Sequence, residues 1–405
     1  MMKHLVTYIF ISALAAVLAA CGGRVAERSP SAPHIFPDYA DVTVPMNIAP
    51  LNFRLDGFDG RARARLEAGA EHITVSTRDG AFRLPQRGWR RLCSAAVAAD
   101  VDISVTVEAR DGDGVWRRYA PFVIRVSEDE IEPYMVYRLI EPGYETWGEM
   151  GIYQRCLETF REEPVIETSS AGYGCVNCPT FRSQDPDMML FHMRQTHAGT
   201  MLLREGRIER LNTATDSTIS STVYPSWHPS GRYIAFSVNA TKLITLPDES
   251  NRVEVFDSAS DVVVYDTERH ELYSVPELMR GDRFETFPSF SPAGDKLYFC
   301  TADSVEMPAR YKEARYSLCS IGFDAASGRI GRDVDTLCNA RTTGRSVSFP
   351  RVSPDGAFML YALSDYGTFS IWHRDADLRM IDLRSGREVE TSAVNSPEAE
   401  SYHSW

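Results

Sequence analysis

Beyond its first twenty residues the chain has no uncharged run long enough to cross a bilayer, so nothing after that start is expected to span one. No Gly-x-Ser-x-Gly turn occurs, which removes the signature of an elbow-borne serine nucleophile. No Gly-x-x-x-x-Gly-Lys run is present to cradle a phosphate. Gly172-Tyr173-Gly174 lacks both the third glycine of a dinucleotide fingerprint and the helix that it should open. Positive charge is scarce: 43 Lys and Arg stand against 56 Asp and Glu, a net charge of −13. That balance argues against nucleic acid or anionic headgroups as main partners. The acidic residues are scattered, as on a solvated surface, and the sequence places no two of them at the separation of a glycosidase carboxylate pair.

What is present begins with Lys3 and His4 ahead of an apolar stretch, Leu5 to Ala20, shorter than the roughly 20 residues of a span and suited to a signal-peptide core. It ends in Leu18-Ala19-Ala20-Cys21, which resembles the lipobox of bacterial lipoproteins; the resemblance implies signal-peptide residues 1–21 and a lipidated Cys21. Gly22 at the next position resembles an outer-membrane sorting pattern. The expected location is therefore lipid-anchored in the cell envelope, on the periplasmic side or the cell surface. Of 8 cysteines, seven remain after Cys21, an odd number that cannot pair completely.

Residues 22–40, with Pro30, Pro33 and Pro37, read as a tether. Residues 41–128 carry short alternating segments such as Asn52-Phe53-Arg54-Leu55, His72-Ile73-Thr74-Val75 and Ile103-Ser104-Val105-Thr106-Val107, separated by turn signals. This pattern predicts a β-sandwich of immunoglobulin type. Asp111 and Asp113 read as a hairpin turn, because the other oxygen ligands of a calcium loop are missing. A connector, 129–174, mixes tyrosines, Trp147 and glycines without a clean period.

The strongest pattern lies further on. Tyr224-Pro225-Ser226-Trp227, Phe287-Pro288-Ser289-Phe290, Phe349-Pro350-Arg351-Val352 and Tyr402-His403-Ser404-Trp405 form a quartet, and the first three run into Pro/Gly turns. Each turn is followed by an apolar strand and then a hairpin, giving four strands, A to D, per repeat. That is the unit of a β-propeller. The turn prolines Pro229, Pro292 and Pro354 are 63 and 62 residues apart, longer than compact blades of about 40 to 45. The extra length falls between strands B and C: Asn239 to Ser260, Thr301 to Arg315, and Ser364 to Ala376. In a propeller these connections share one end, so the insertions are expected to build one binding face. Asp365, Tyr366, Phe369, Trp372, His373 and Arg374 are its ligand candidates, against the alternative that the aromatics pin the loop to its own blade. An earlier partial unit precedes, and the last quartet member stands alone, so residues 175–405 predict about four blades, incomplete at the C-terminus.

Gly174-Cys175-Val176-Asn177-Cys178-Pro179 holds the two thioether positions of a haem c motif, but Pro179 replaces the ligand histidine. Cys175, Cys178, His192 and His197 also fit a zinc spacing, although no amphipathic helix underlies the histidines. A local disulfide is the favoured reading and metal binding the second, with haem or free thiols as the remaining alternatives; no cofactor is expected. The connector, this cysteine pair and the repeats together resemble lipoproteins of Bacteroidetes-type bacteria with TolB-like propellers, many of which carry histidine after the pair. The resemblance covers roughly residues 130–405.

These readings converge on an all-β, non-enzymatic lipoprotein that binds an envelope protein, peptide or glycan through its B–C face. The alternatives are a haem- or metal-associated electron-transfer protein using Cys175 and Cys178, and a glycan hydrolase.

Overall fold

A computed structural model describes residues 27–110, 112, 114–140, 150–246, 251 and 253–405. Cys21 and the signal segment, Asp111, Asp113 and the middle of the connector lie outside these residues. Among the described residues no helix is long and apolar enough to cross a membrane. The structure is nearly all β. It divides into two compact units, one within residues 1–136 together with 154–163, the other within 137–153 and 164–405.

In the first unit, Ala62–Ala68 pairs with Glu71–Thr77 on one side and Ile103–Arg110 on the other. Ile103–Arg110 continues to Trp116–Arg118 and Phe122–Ser127. Alternation buries Ala62, Ala64, Leu66 and Ala68 on one face, with Ile103, Val105 and Val107 beside them. The immunoglobulin-like sandwich is corrected here, because a helix, Gln86–Ala99, packs on these strands. Its apolar residues Trp89, Leu92, Cys93 and Ala96 recur at helical spacing and are buried, and Trp89 donates its indole N–H to the Ile48 carbonyl at 3.0 Å. Three arginines and Gly88 within the segment mask that stripe in a search for strands.

The second unit contains four successive four-stranded antiparallel sheets, each paired A-B-C-D in chain order. They comprise Val176–Phe181 to Arg207–Leu211, Thr222–Trp227 to Glu271–Tyr273, Arg283–Phe290 to Arg329–Cys338, and Ser346–Val352 to Arg387–Val389. Three of the A-to-B turns close with a glycine at positive φ, Gly231, Gly294 and Gly356. In each, the glycine N–H reaches the carbonyl three residues back at 2.8–2.9 Å.

Every A strand carries the same irregularity. The register with strand B shifts between Asn177 and Thr180, Val223 and Ser226, Thr286 and Ser289, and Ser348 and Arg351. Within these bulges Cys178, Tyr224, Phe287 and Phe349 all have φ between 49° and 53°, and Tyr402 has φ 59°. The bulge turns each of these side chains out of the ladder. The Tyr224 and Phe287 ring centroids lie 4.6 Å apart, Phe287 and Phe349 4.3 Å, and Phe349 and Tyr402 4.8 Å. Cys178 Sγ is 3.9 Å from the Tyr402 hydroxyl. The recurring left-handed position, an aromatic ring in three sheets and the last segment and Cys178 in the first sheet, thus brings all four sheets and the last segment to one shared cluster.

Candidate functional site

The three insertions do meet, though not as three loops. The first is an extension of strands B and C, which run Tyr233–Thr245 and Val253–Asp266 and stay paired as far as Thr245 with Val253. This hairpin carries Glu254, which is 2% exposed. From the third insertion Tyr366 donates its hydroxyl to one Glu254 oxygen at 2.5 Å, and His373 Nε2 lies 2.9 Å from the other. Asn251 donates to the Tyr366 hydroxyl at 3.3 Å. The second insertion contributes Tyr311, stacked on Phe256 at 5.8 Å and set edge-on to Tyr366 at 5.9 Å. The Gly367 N–H reaches the Ala314 carbonyl at 2.9 Å, joining the second insertion to the third.

Glu254 is satisfied because its two oxygens receive two donors from one segment. Depriving a buried carboxylate of one such hydrogen-bond partner costs about 2–3 kcal/mol, so the network fixes the insertions against each other. Just beneath it, Asp257 accepts from the Asn239 amide at 2.7 Å and the Thr241 hydroxyl at 2.9 Å. Burial pushes its carboxyl up to about 6 despite those bonds.

On the other side of the second insertion a cleft of about 500 Å³ opens in the third sheet. Arg283, Glu285, Thr301, Arg315, Asn339 and Arg341 are among its walls. Glu285 is fully buried and held by two long contacts, the Arg280 N–H and the Thr301 hydroxyl, each at 3.3 Å. Burial raises its carboxyl to about 7, opposed by those contacts and Arg283 and reinforced by the nearby Asp261. A carboxyl that holds its proton near neutral pH inside a cleft is a recognised mark of a functional position.

The predicted ligand residues separate into two kinds. Tyr366 and His373 join the buried network. Phe369 packs edge-on against Phe349 at 6.2 Å and so serves the core, while Asp365 and Arg374 are in surface ion pairs with Arg345 at 3.3 Å and Glu398 at 3.5 Å. Trp372 is 40% exposed. Glu254 and Glu285 were not anticipated; both stand in apolar strand sequence, where a carboxylate flanked by valine or phenylalanine is the available signal.

The cysteine pair differs from its expectation. Cys175 and Cys178 are free thiols rather than a disulfide. Cys178 occupies the bulge, with Pro179 in the place of Pro225, Pro288 and Pro350, so the motif is the first member of the repeat. Cys175 Sγ accepts from the Asn177 amide at 3.2 Å. His192 is buried beside Thr200, 3.0 Å from its hydroxyl, and desolvation lowers the imidazole to about 3. His197 is exposed in a short turn. Among the described residues no three His, Cys, Asp or Glu gather as metal ligands, and these four do not assemble a zinc site.

No family model matches the chain, and no curated protein matches it either. Solved structures that it resembles include a DUF4784 family protein from Bacteroides caccae, at 9% identity and TM-score 0.37 over 90% of this chain and 97% of that one. Dipeptidyl peptidase 4 of Porphyromonas gingivalis matches at 14% identity and TM-score 0.35, over 71% of this chain and 45% of the peptidase. A thermostable family-43 glycoside hydrolase matches at 11% and 0.35, over 74% of this chain and 93% of the hydrolase. Scores this low assign no activity. The expectation of a non-enzymatic protein is withdrawn: the neighbours include proteins named as peptidases and glycoside hydrolases, and none of them supports it.

Proposed function

We propose that this chain is an envelope lipoprotein, tethered through Cys21, whose repeat unit is of TolB-like propeller type and takes a polar glycan or peptide ligand at the end carrying the B–C insertions. The observation that supports this reading most is the convergence of Glu254, Tyr311, Tyr366 and His373, from three insertions on three sheets, into one buried network. Length added to each repeat at the same place, and then locked together, is the investment a binding surface requires and a bare scaffold does not. Beside that network lies a cleft of about 500 Å³, within the range of small-ligand sites.

The test is a panel of neutral and acidic oligosaccharides and of peptides, titrated calorimetrically against the mature chain and against His373→Ala. Binding that weakens at least tenfold in the variant, with the circular dichroism of the fold retained, supports the reading. Equal binding by both contradicts it. The same incubations, read for released reducing ends or amines, report turnover. Fractionation of cells expressing Cys21→Ser, with loss of the protein from the membrane fraction, tests the anchor.

A further inference from the structure

The cleft in the third sheet has an unusual charge arrangement for so acidic a chain. Arg280, Arg283, Arg315 and Arg341 line it. Arg280 is paired with Asp282 at 2.9 Å, and Arg341 and Arg283 share Asp303. Of the other acidic residues of the wall, Glu277 pairs with Arg332 and Glu313 with Arg310. Arg315 differs from the rest. Its Nε donates to the Gly344 carbonyl at 2.9 Å, and its Nη1 to the Lys312 and Glu313 carbonyls at 3.2 Å. Among the described residues it has no carboxylate within ion-pair distance. Three backbone acceptors therefore fix the plane of a guanidinium whose charge also acts on Glu313 without pairing with it, and whose Nη2 has no hydrogen bond among the described residues. With Nε and Nη1 committed, Nη2 is placed to donate to a carboxylate oxygen.

The rest of the wall suits hydroxyl groups. Thr301 accepts from Arg283 Nε at 3.1 Å and donates to Glu285, while Ser317, Thr336 and Asn339 add neutral donors and acceptors. Glu285, fully buried and bonded to the Thr301 hydroxyl, has its carboxyl raised to about 7 mainly by burial, which lessens the repelling charge behind this wall at neutral pH. An acidic peptide added to the sheet edge would meet exposed Asp333 and Asp335 on strand D, which oppose it.

We propose that this cleft binds a uronic acid residue of an acidic glycan, with Arg315 holding the sugar carboxylate and Thr301 and Asn339 its hydroxyls. The inference rests on the reading of the B–C end as a ligand site and names the ligand class for it.

Calorimetric titration of the mature chain with oligomers of galacturonate, glucuronate, mannuronate and guluronate, each beside its neutral hexose counterpart and an oligoglutamate peptide, tests it. At least one uronide is expected to bind at least tenfold more tightly than its neutral counterpart and than the peptide. Arg315→Gln should lower uronide affinity tenfold or more, and Arg315→Lys, which keeps the charge without the backbone-held plane, should lower it less. Circular dichroism confirms that both variants fold. Equal affinity for uronides and neutral hexoses, a preference for the peptide, or unchanged discrimination in Arg315→Gln overturns the proposal. If neutral glycans or peptides bind, and do so through His373, the uronide inference fails while the ligand-site reading stands; if no probe binds, both fail.

Discussion

Two buried clusters organise the repeat unit, and they are made in opposite ways. The aromatic cluster of Tyr224, Phe287, Phe349 and Tyr402 is assembled by one motif used again and again, the first three side chains delivered through the same left-handed bulge and Tyr402 through a like left-handed turn of the last segment. The Glu254 cluster is assembled by departures from the repeat: a hairpin extension in one sheet, a short helical turn in the next and a loop in the third. The first is apolar and depends on packing. The second is polar and depends on every donor finding its acceptor. Repetition supplies the frame here, and what breaks the repetition supplies the candidate site.

The sharpest break of this comparison is Phe287→Ala. Phe287 is 2% exposed and touches rings from two neighbouring repeats. Its loss should cost about 3–5 kcal/mol, seen as a cooperative drop in the urea midpoint of the repeat unit. His373→Ala should cost less, about 2–3 kcal/mol for an unpaired buried carboxylate that can relax with its loop, and the damage should be local. Limited proteolysis is expected to nick residues 364–376 while the aromatic cluster stays protected; cooperative loss of the whole unit would show that the two clusters are not separable.

Glu285 adds a pH-dependent comparison. Its carboxyl is raised from 4.5 to about 7 in the folded chain, so the folded state holds the proton more tightly than the unfolded one. Its contribution is then most favourable below about 4.5, declines as pH rises through about 7 and is fully lost above. Glu285→Gln should therefore stabilise the protein at pH 8 by on the order of 2 kcal/mol and leave stability at pH 4 nearly unchanged. Equal effects at both pH values would mean that the carboxyl titrates normally. The smallest effect is expected at Cys178. At φ 53°, Cys178→Gly should be close to neutral, whereas β-branched Cys178→Val should lose about 1–2 kcal/mol in chemical denaturation.

How much of this was legible follows the same division. The quartet, the Pro/Gly turns and the placement of the insertions at equivalent points could be read because each is local and recurs. Cys178-Pro179 escaped as a further copy because a cysteine stands where the others have an aromatic ring, and because its spacing to Cys175 points to haem or disulfide chemistry instead. The helix Gln86–Ala99 escaped because arginines and a glycine interrupt its apolar stripe. The pairing of Glu254 with His373 could not be read at all: no local pattern announces which distant donor will satisfy a carboxylate within an apolar strand. Tyr366 and His373 were singled out as ligand residues on composition, yet the structure commits both to Glu254 of the first insertion.

The central claim, that the insertions of separate repeats form one coupled structure, is tested most directly by a double-mutant cycle between Glu254→Ala and His373→Ala, read by chemical denaturation. The account predicts a coupling energy of about 1–3 kcal/mol between residues that lie on different sheets. Additive effects, within about 0.3 kcal/mol, would contradict it.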